Sequence, residues 1–417
     1  YKINDRLSYN LGYLNYITQQ NVADHGLENY ITNDSIDLYF TKWKYHTVTN
    51  TISNYFSYKF NTGKLNHRLV AGYDYIRSKM NLDQNYFELP DQFGEESGIV
   101  GTFSLRNPVY FKRPVNSYQP SDYDSDATEV DGDVYHTQGI YLQDEISFNR
   151  WKLLFGVREE FYKGQGEDED DEIDQQVFLP RIGLVYALKN NLSAYLTFNK
   201  GFDPFEASGS NQQFDEPIKP QVSELYETGL KANFFSGKLA ASFAVYQLTV
   251  QNVAVNANDI GNPDLFVQEG KVRSRGVELQ ADGNITSNLN ASFAYAFCDA
   301  KITESTKAFE IGKRLENAPH NSGSSWIKYE FKKGMLRRFA ISGGYLQAGK
   351  RNTLDPQITL PGYFILNGAV QYTYQHFTIA LRAENITNTT YWMAAYNNVS
   401  KWPGEPRNIM VNLRYKF

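Results

Sequence analysis

Along most of the chain, apolar and polar residues alternate with a period of two, the signature of strands with one apolar and one polar face. The end is the clearest case: Arg407, Ile409, Val411, Leu413, Tyr415 and Phe417 fall on one face, and Asn408, Met410, Asn412, Arg414 and Lys416 on the other. Leu279 and Ala281 likewise oppose Glu278, Gln280 and Asp282. Phe377, Ile379, Leu381 and Ala383 oppose Thr378, Arg382 and Glu384. The alternation predicts about sixteen strands, over about 4–20, 36–60, 64–80, 134–148, 151–163, 177–188, 192–200, 223–235, 238–251, 272–284, 288–300, 321–331, 336–347, 362–373, 377–386 and 406–417. One kind of connection is short and built of turn residues: Asn61-Thr62-Gly63-Lys64, Asn149-Arg150, Lys189-Asn190-Asn191, Ser236-Gly237, Thr286-Ser287-Asn288, Lys332-Lys333-Gly334 and Tyr374-Gln375. The other kind is long and polar: Asn81–Asp133, Gly164–Gln176, Gly201–Val222, Asn252–Lys271, Lys301–Asn321, Ala348–Leu360 and Thr387–Glu405. Short turns on one side and long loops on the other are the asymmetry of an antiparallel transmembrane β-barrel, with lipid outside and water inside.

Composition agrees. The chain has 417 residues, with 31 Tyr, 27 Phe and 5 Trp, as two aromatic membrane girdles require. Mean hydropathy is −0.53, and no apolar run reaches the ~20 residues of a membrane helix. A barrel reconciles these facts, because only every second residue must be apolar. A net charge of −6 argues against a nucleic-acid partner, and the single cysteine, Cys298, excludes an internal disulfide framework. No signal peptide is visible and Tyr1 is not a natural start, so the expectation is a part of a longer precursor.

Several segments, in this order and spacing, resemble the C-terminal barrel of TonB-dependent siderophore receptors. They are Asn61–Tyr75, Tyr141–Tyr162, Leu179–Pro204, Ser223–Asn252, Gly270–Thr303 with its core VRSRGVELQADG, Glu384–Tyr391 (ENITNTTY) and Trp402–Phe417. The pattern is most similar to the hydroxamate, ferrichrome-type receptors. The resemblance implies an outer-membrane location in a Gram-negative bacterium and a barrel of about twenty-two strands around an N-terminal plug. Residues 1–417 then form the C-terminal part of that barrel, with plug and first strands missing. It further implies a ferric siderophore as transported ligand, with no resident cofactor. Energy comes from a TonB–ExbB–ExbD system acting on the missing plug. Outer-membrane lipid and lipopolysaccharide surround the wall, and residues 406–417 address the barrel-assembly machinery.

No enzyme chemistry stands out. His25, His46, His67, His136, His320 and His376 are scattered, and no Walker loop or Gly-x-Ser-x-Gly occurs. The acidic run Glu167–Glu172 with Asp174 lacks the glycine turn of a calcium loop and reads as a solvated tip. In-strand glycines (Gly139, Gly156, Gly183, Gly229, Gly276, Gly343, Gly368) mark either close approach of a plug backbone or relief of crowding. Aromatics in long loops are the candidate ligand contacts: Tyr86, Phe87, Tyr110, Phe111, Tyr118, Phe202, Phe205, Tyr396 and Trp402, with Tyr123 nearby. A wrapped iron chelate needs flat amphipathic surfaces rather than metal ligands. The competing reading of Phe202, Phe205 and Trp402 is an interfacial girdle. Arg106, Lys112 and Arg113 add positive charge to the longest loop. Two other functions fit the pattern: a passive pore with a folded-in loop 81–133, or an importer of cobalamin, haem, ferric citrate or a glycan.

Overall fold

The computed structural model describes the chain except residues 33, 89–99, 108–118, 121–129, 166–171, 205–212, 215–218, 257–264, 354–357 and 396–400. Among the described residues, sixteen long strands form one antiparallel wall. They are β1 (Leu7–Thr32), β2 (Ser35–Thr62), β3 (Leu65–Glu88), β4 (Val130–Phe148), β5 (Trp151–Gln165), β6 (Glu172–Lys189), β7 (Leu192–Asp203) and β8 (Gln221–Phe234). The wall continues through β9 (Leu239–Asn256), β10 (Leu265–Asn284), β11 (Leu289–Glu304), β12 (Asn321–Glu330), β13 (Phe339–Ala348), β14 (Tyr363–Tyr374), β15 (Phe377–Glu384) and β16 (Asn408–Tyr415). Each strand pairs antiparallel with its successor. Among the described residues β1 and β16 are not paired with each other, so the sheet is open.

The register puts apolar residues on one face. Ile379 opposes Leu413, Leu381 opposes Val411, and Phe243, Leu279 and Tyr295 form one row across β9–β11. All of these are exposed, as a lipid-facing surface is. Ring pairs bound this face at two levels. At the short-turn end Tyr58 stacks on Phe60, Trp151 lies 4.3 Å from Tyr186, Phe339 4.9 Å from Tyr372, and Phe377 4.8 Å from Tyr415. Towards the long loops come Phe198 with Tyr226 at 4.9 Å and Tyr345 with Phe364 at 5.1 Å. These are two aromatic girdles with an apolar band between them. Phe417 packs edge-on against Tyr415, and Lys416 N–H donates to the His376 carbonyl at 2.9 Å. The C-terminus therefore sits at the short-turn rim.

The opposite face is polar and lined by glycines set against aromatics. Gly72 opposes Tyr141, Gly229 opposes Tyr195, Gly276 opposes Tyr246 and Gly344 opposes Trp326. A Cβ on these glycines would come within 2.5–2.8 Å of the facing ring. Each ring lies flat across its glycine, covering the backbone and stiffening the wall. At Gly229 and Gly276 the wall itself occupies the space, so crowding accounts for these glycines. At Gly139 the occupant is the Arg158 guanidinium.

The first three strands differ from the spans that alternation predicts. They run for 26, 28 and 24 residues, where a membrane crossing takes ~9–11. β1 and β2 pair up to Thr32 opposite Ser35, so residues 21–32 and Ser35 belong to the wall. β3 continues to Glu88, and Gly101–Ser104 and Gln119–Pro120 add short strands to β2 and β3 within the predicted loop 81–133. These parts stand beyond the membrane, where no lipid imposes the apolar alternation that marks the other strands. β5 and β6 also enter the predicted loop 164–176, and Lys163 pairs with Asp174 at 3.3 Å.

Val411 lies 67% exposed in the middle of the lipid-facing row of β16. Val411→Arg is expected to cost ~2–4 kcal/mol of folding stability in vesicles. Asn412→Arg, on the other face, should cost far less. Heat-modifiability and urea titration measure both, and equal costs would reverse the assignment of faces.

Candidate functional site at the loop-side mouth

Above the wall, three connections are joined by side chain to main chain hydrogen bonds. Arg351 is buried, and its guanidinium donates to the carbonyls of Met393 and of Trp392, the latter at 2.6 Å. It also lies 5.2 Å from the ring centre of Tyr363. Asn317 holds a left-handed conformation (φ 52°), and its amide bridges the Ala395 carbonyl at 3.0 Å and the Ala395 N–H at 3.1 Å. The described parts of the connections after β11, β13 and β15 thereby hold one another. Arg351 is buried, where a charge-assisted bond is strongest, while Asn317 makes its bonds from an exposed position.

Asn385, in the ENITNTTY segment, folds the last connection. Its side chain donates to the carbonyls of Thr389 at 2.8 Å and Glu405 at 3.0 Å and accepts from Thr389 N–H at 2.8 Å. Tyr391 then stacks beside Tyr363 at 4.6 Å, with Gly404 packed under its ring. Burial, reinforced by Tyr363, raises the Tyr391 hydroxyl above its ordinary pKa. The result is a short antiparallel pair, Trp392–Ala395 against Lys401–Pro403.

The extension of β1–β3 has its own small core of Leu38, Phe40 and Val100, with Ile36, Phe87 and Phe103 packed against it. Phe87 meets Phe40 edge-on at 5.5 Å, and the Lys42 ammonium lies 4.6 Å from the Phe87 ring centre. Inside the wall, Arg158 donates to Asp74 at 2.8 Å and to Glu160, and lies over the Tyr141 ring. Beside it Arg181 and Asn199 line a cleft of about 400 Å³. Tyr195 donates to Glu227 at 2.7 Å further round.

The aromatics singled out from sequence are distributed as follows. Phe87 belongs to the extension core. Tyr86 is in β3, with its backbone opposite Thr41. Phe202 is in β7 opposite Val222, on the outward face with Phe198 and Leu196. Trp402 is half exposed on the terminal hairpin. Tyr110, Phe111, Tyr118, Tyr123, Phe205 and Tyr396 lie outside the described residues, as do Lys112, Arg113 and the acidic run 167–171. Arg106 pairs with Asp34 at 2.8 Å. Arg351, Asn317 and Tyr363 were not visible to sequence reasoning: each is a polar loop or strand-end residue without periodicity. Asn385 carried a signal, since it sits in the quoted ENITNTTY segment.

Residues 1–386 match the family model described as "TonB dependent receptor-like, beta-barrel", and the chain belongs to that family. It is 28% identical over 375 residues to the metal-pseudopaline receptor CntO of Pseudomonas aeruginosa strain UCBPP-PA14, covering 85% of this chain and 49% of that protein. It is 27% identical over 368 residues to the ferrioxamine B receptor of Salmonella typhimurium strain SL1344, covering 85% of this chain and 48% of that protein. The chain thus spans about half the length of these curated relatives. The crystal structure of the siderophore receptor PiuA from Acinetobacter baumannii superposes with a TM-score of 0.83 at 18% identity, over 100% of this chain and 63% of that one. The wall is therefore a TonB-dependent receptor β-barrel wall, with its polar face towards the lumen.

Arg351→Ala removes two charge-assisted hydrogen bonds and is expected to cost about 2–3 kcal/mol of local stability. Hydrogen exchange at amides 389–395 should accelerate about thirtyfold or more. Arg351→Lys should lie between. Unchanged exchange in Arg351→Ala would show that other contacts hold the hairpin.

Proposed function

We propose that the chain is the barrel portion of an outer-membrane receptor that imports a ferric siderophore in a Gram-negative bacterium. Iron enters as cargo inside its chelate. The observation that carries the reading is the joined loop-side mouth above a lipid-exposed wall in a chain of this family. Relatives named for ferrioxamine B and for metal-pseudopaline support it. The cargo class favoured is a hydroxamate-type chelate. A weakly charged chelate offers little for ion pairing, so aromatic faces at the mouth supply the affinity. Tyr86, Tyr110 and Tyr396 are the contacts to test first; Phe111, Tyr118, Phe205 and Trp402 are further contacts. Phe87 we read as support, from its contact with Phe40, and Phe202 as girdle, from its register opposite Val222. Energy reaches the receptor from a TonB–ExbB–ExbD system through a plug. Outer-leaflet lipopolysaccharide surrounds the wall, and the β16 strand addresses the barrel-assembly machinery.

The test is binding of ferric ferrioxamine and ferric ferrichrome to the complete receptor carrying Tyr396→Ala, Tyr86→Ala or Tyr110→Ala. Loss of a buried aromatic anchor should weaken binding more than tenfold, about 2 kcal/mol. Parental affinity in all three would remove these residues from the site. Uptake that persists at full rate without TonB would favour a passive pore, and a receptor that binds neither chelate would favour another nutrient.

A further inference from the structure

The short-turn rim of the wall carries charge of one sign. The seven short connections, 61–64, 149–150, 189–191, 235–238, 285–288, 331–338 and 375–376, hold eight Lys and Arg residues and no Asp or Glu. The whole chain is acidic, with 47 Asp and Glu against 41 Lys and Arg, so composition alone does not account for this segregation. Half of the rim cations belong to one turn: Lys332, Lys333, Arg337 and Arg338, between β12 and β13. The others come one to a turn, as Lys64, Arg150, Lys189 and Lys238. Main-chain bonds hold the turns at one level. The carbonyls of Arg150, Lys238 and Arg338 accept from Ala187, Asn284 and Thr373 on the next hairpin, at 2.8, 2.7 and 2.9 Å. Adjacent strands lie ~4.8 Å apart, so successive turns follow one another at about 10 Å.

Carboxylates at the adjoining strand ends do not neutralise the rim. Glu330 pairs with Lys328 at 2.8 Å, and Glu145 lies 3.7 Å from Lys152. Asp282 is on the polar face, opposite Ala240 and Ser292. Asp5, in the segment ahead of β1, pairs with Lys2 at 2.7 Å. Two of the cations brace the rim itself: Lys332 donates to the Ser287 carbonyl, and Arg338 lies 4.5 Å from the ring centre of Tyr374. Lys64, Arg150, Lys333 and Arg337 are exposed, and their side chains make no ion pair or hydrogen bond among the described residues.

We propose that this ring of turn-borne cations docks an anionic polymer whose carboxylates repeat along a layer parallel to the membrane: the stem peptides of the cell wall beneath the outer membrane. The spacing selects this occupant. A single exposed ion pair contributes little, and cations on separate turns do not converge on one small anion. Carboxylates that repeat along one network join many weak pairs into an avid contact. The cations stand at the end of the wall rather than on its lipid-facing side, which at this level is aromatic, with Trp151, Tyr186, Phe339 and Tyr372. The turn between β12 and β13 supplies the densest charge. Its tip is uncovered by the wall, with Met335 98% exposed between Lys333 and Arg337. The inference rests on the outer-membrane placement given under Proposed function and is independent of the cargo.

The experiment uses the complete receptor in non-ionic detergent and a variant carrying Lys64→Gln, Arg150→Gln, Lys333→Gln and Arg337→Gln. Both are sedimented with purified peptidoglycan sacculi, with sacculi whose carboxylates have been amidated, and with phosphatidylglycerol vesicles. The parent should sediment with untreated sacculi, and the binding should weaken as salt rises. Amidated sacculi should bind it at least tenfold more weakly. The fourfold variant should lose at least tenfold on untreated sacculi while retaining parental ferric-siderophore binding. A variant carrying only Lys333→Gln and Arg337→Gln should lose part of the binding, which keeps the test open if the fourfold variant fails to fold. Equal sedimentation of parent and variants overturns the proposal, as does binding that survives amidation. Binding to the vesicles that follows the four residues, with sacculus binding unchanged, would assign the ring to the membrane instead. Displacement from sacculi by soluble poly-glutamate at a lower carboxylate concentration would assign it to an acidic protein. If the parent binds no siderophore yet sacculus binding follows the cations, the cargo reading falls and this one stands.

Discussion

A backbone amide left unpaired in hydrocarbon is too costly to keep, and the rest of this structure follows from that constraint. Each of the sixteen strands meets its neighbour in an antiparallel ladder, and the ladder fixes which face every side chain takes. Once Leu279 points to lipid, Glu278 and Gln280 cannot. The girdles and the polar lining are consequences of one register carried across the sheet. The lining then needs little packing energy of its own. Its glycines are covered by Tyr141, Tyr195, Tyr246 and Trp326, and its charges are paired, as in Arg158 with Asp74 and Glu160.

The same constraint decides what the sequence can reveal. Where lipid imposes alternation, as at Phe377–Glu384 and Asn408–Tyr415, strand, face and partner could be read directly. The short turns were equally legible, because Gly63 and Asn149 take the left-handed conformations that such connections need. Above the membrane the imposed pattern ends. The upper halves of β1–β3 gather Ile36, Leu38, Phe40 and Phe87 into a small core of their own instead of a lipid-facing row, and pairing such as His25 opposite Phe40 makes them strands. Phe87 looked like a loop aromatic because its partners Leu38, Phe40 and Val100 are distant in sequence. Phe202 was open between ligand contact and girdle because a single aromatic near a strand end gives no parity; the ladder with Val222 puts it on the outward row.

The mouth is held by a different kind of bond. Arg351, Asn317 and Asn385 act on carbonyls and amides rather than on other side chains. Such contacts leave little trace in sequence, since any loop may present a carbonyl and only the fold determines which one. Their effect is to carry the rigidity of the wall upward into connections that have no ladder. Trp392–Ala395 and Lys401–Pro403 are fixed in this way although they belong to no strand of the wall.

The wall and the mouth therefore divide the work along the membrane normal. Side chains between the girdles answer to lipid on one side and to water on the other, and a change there is felt as folding stability. Side chains above the girdles are released from both demands, so what holds them is local: Lys301 pairs with Asp299 at 2.9 Å, and Arg351 and Asn317 close the mouth on main-chain atoms of the last connection.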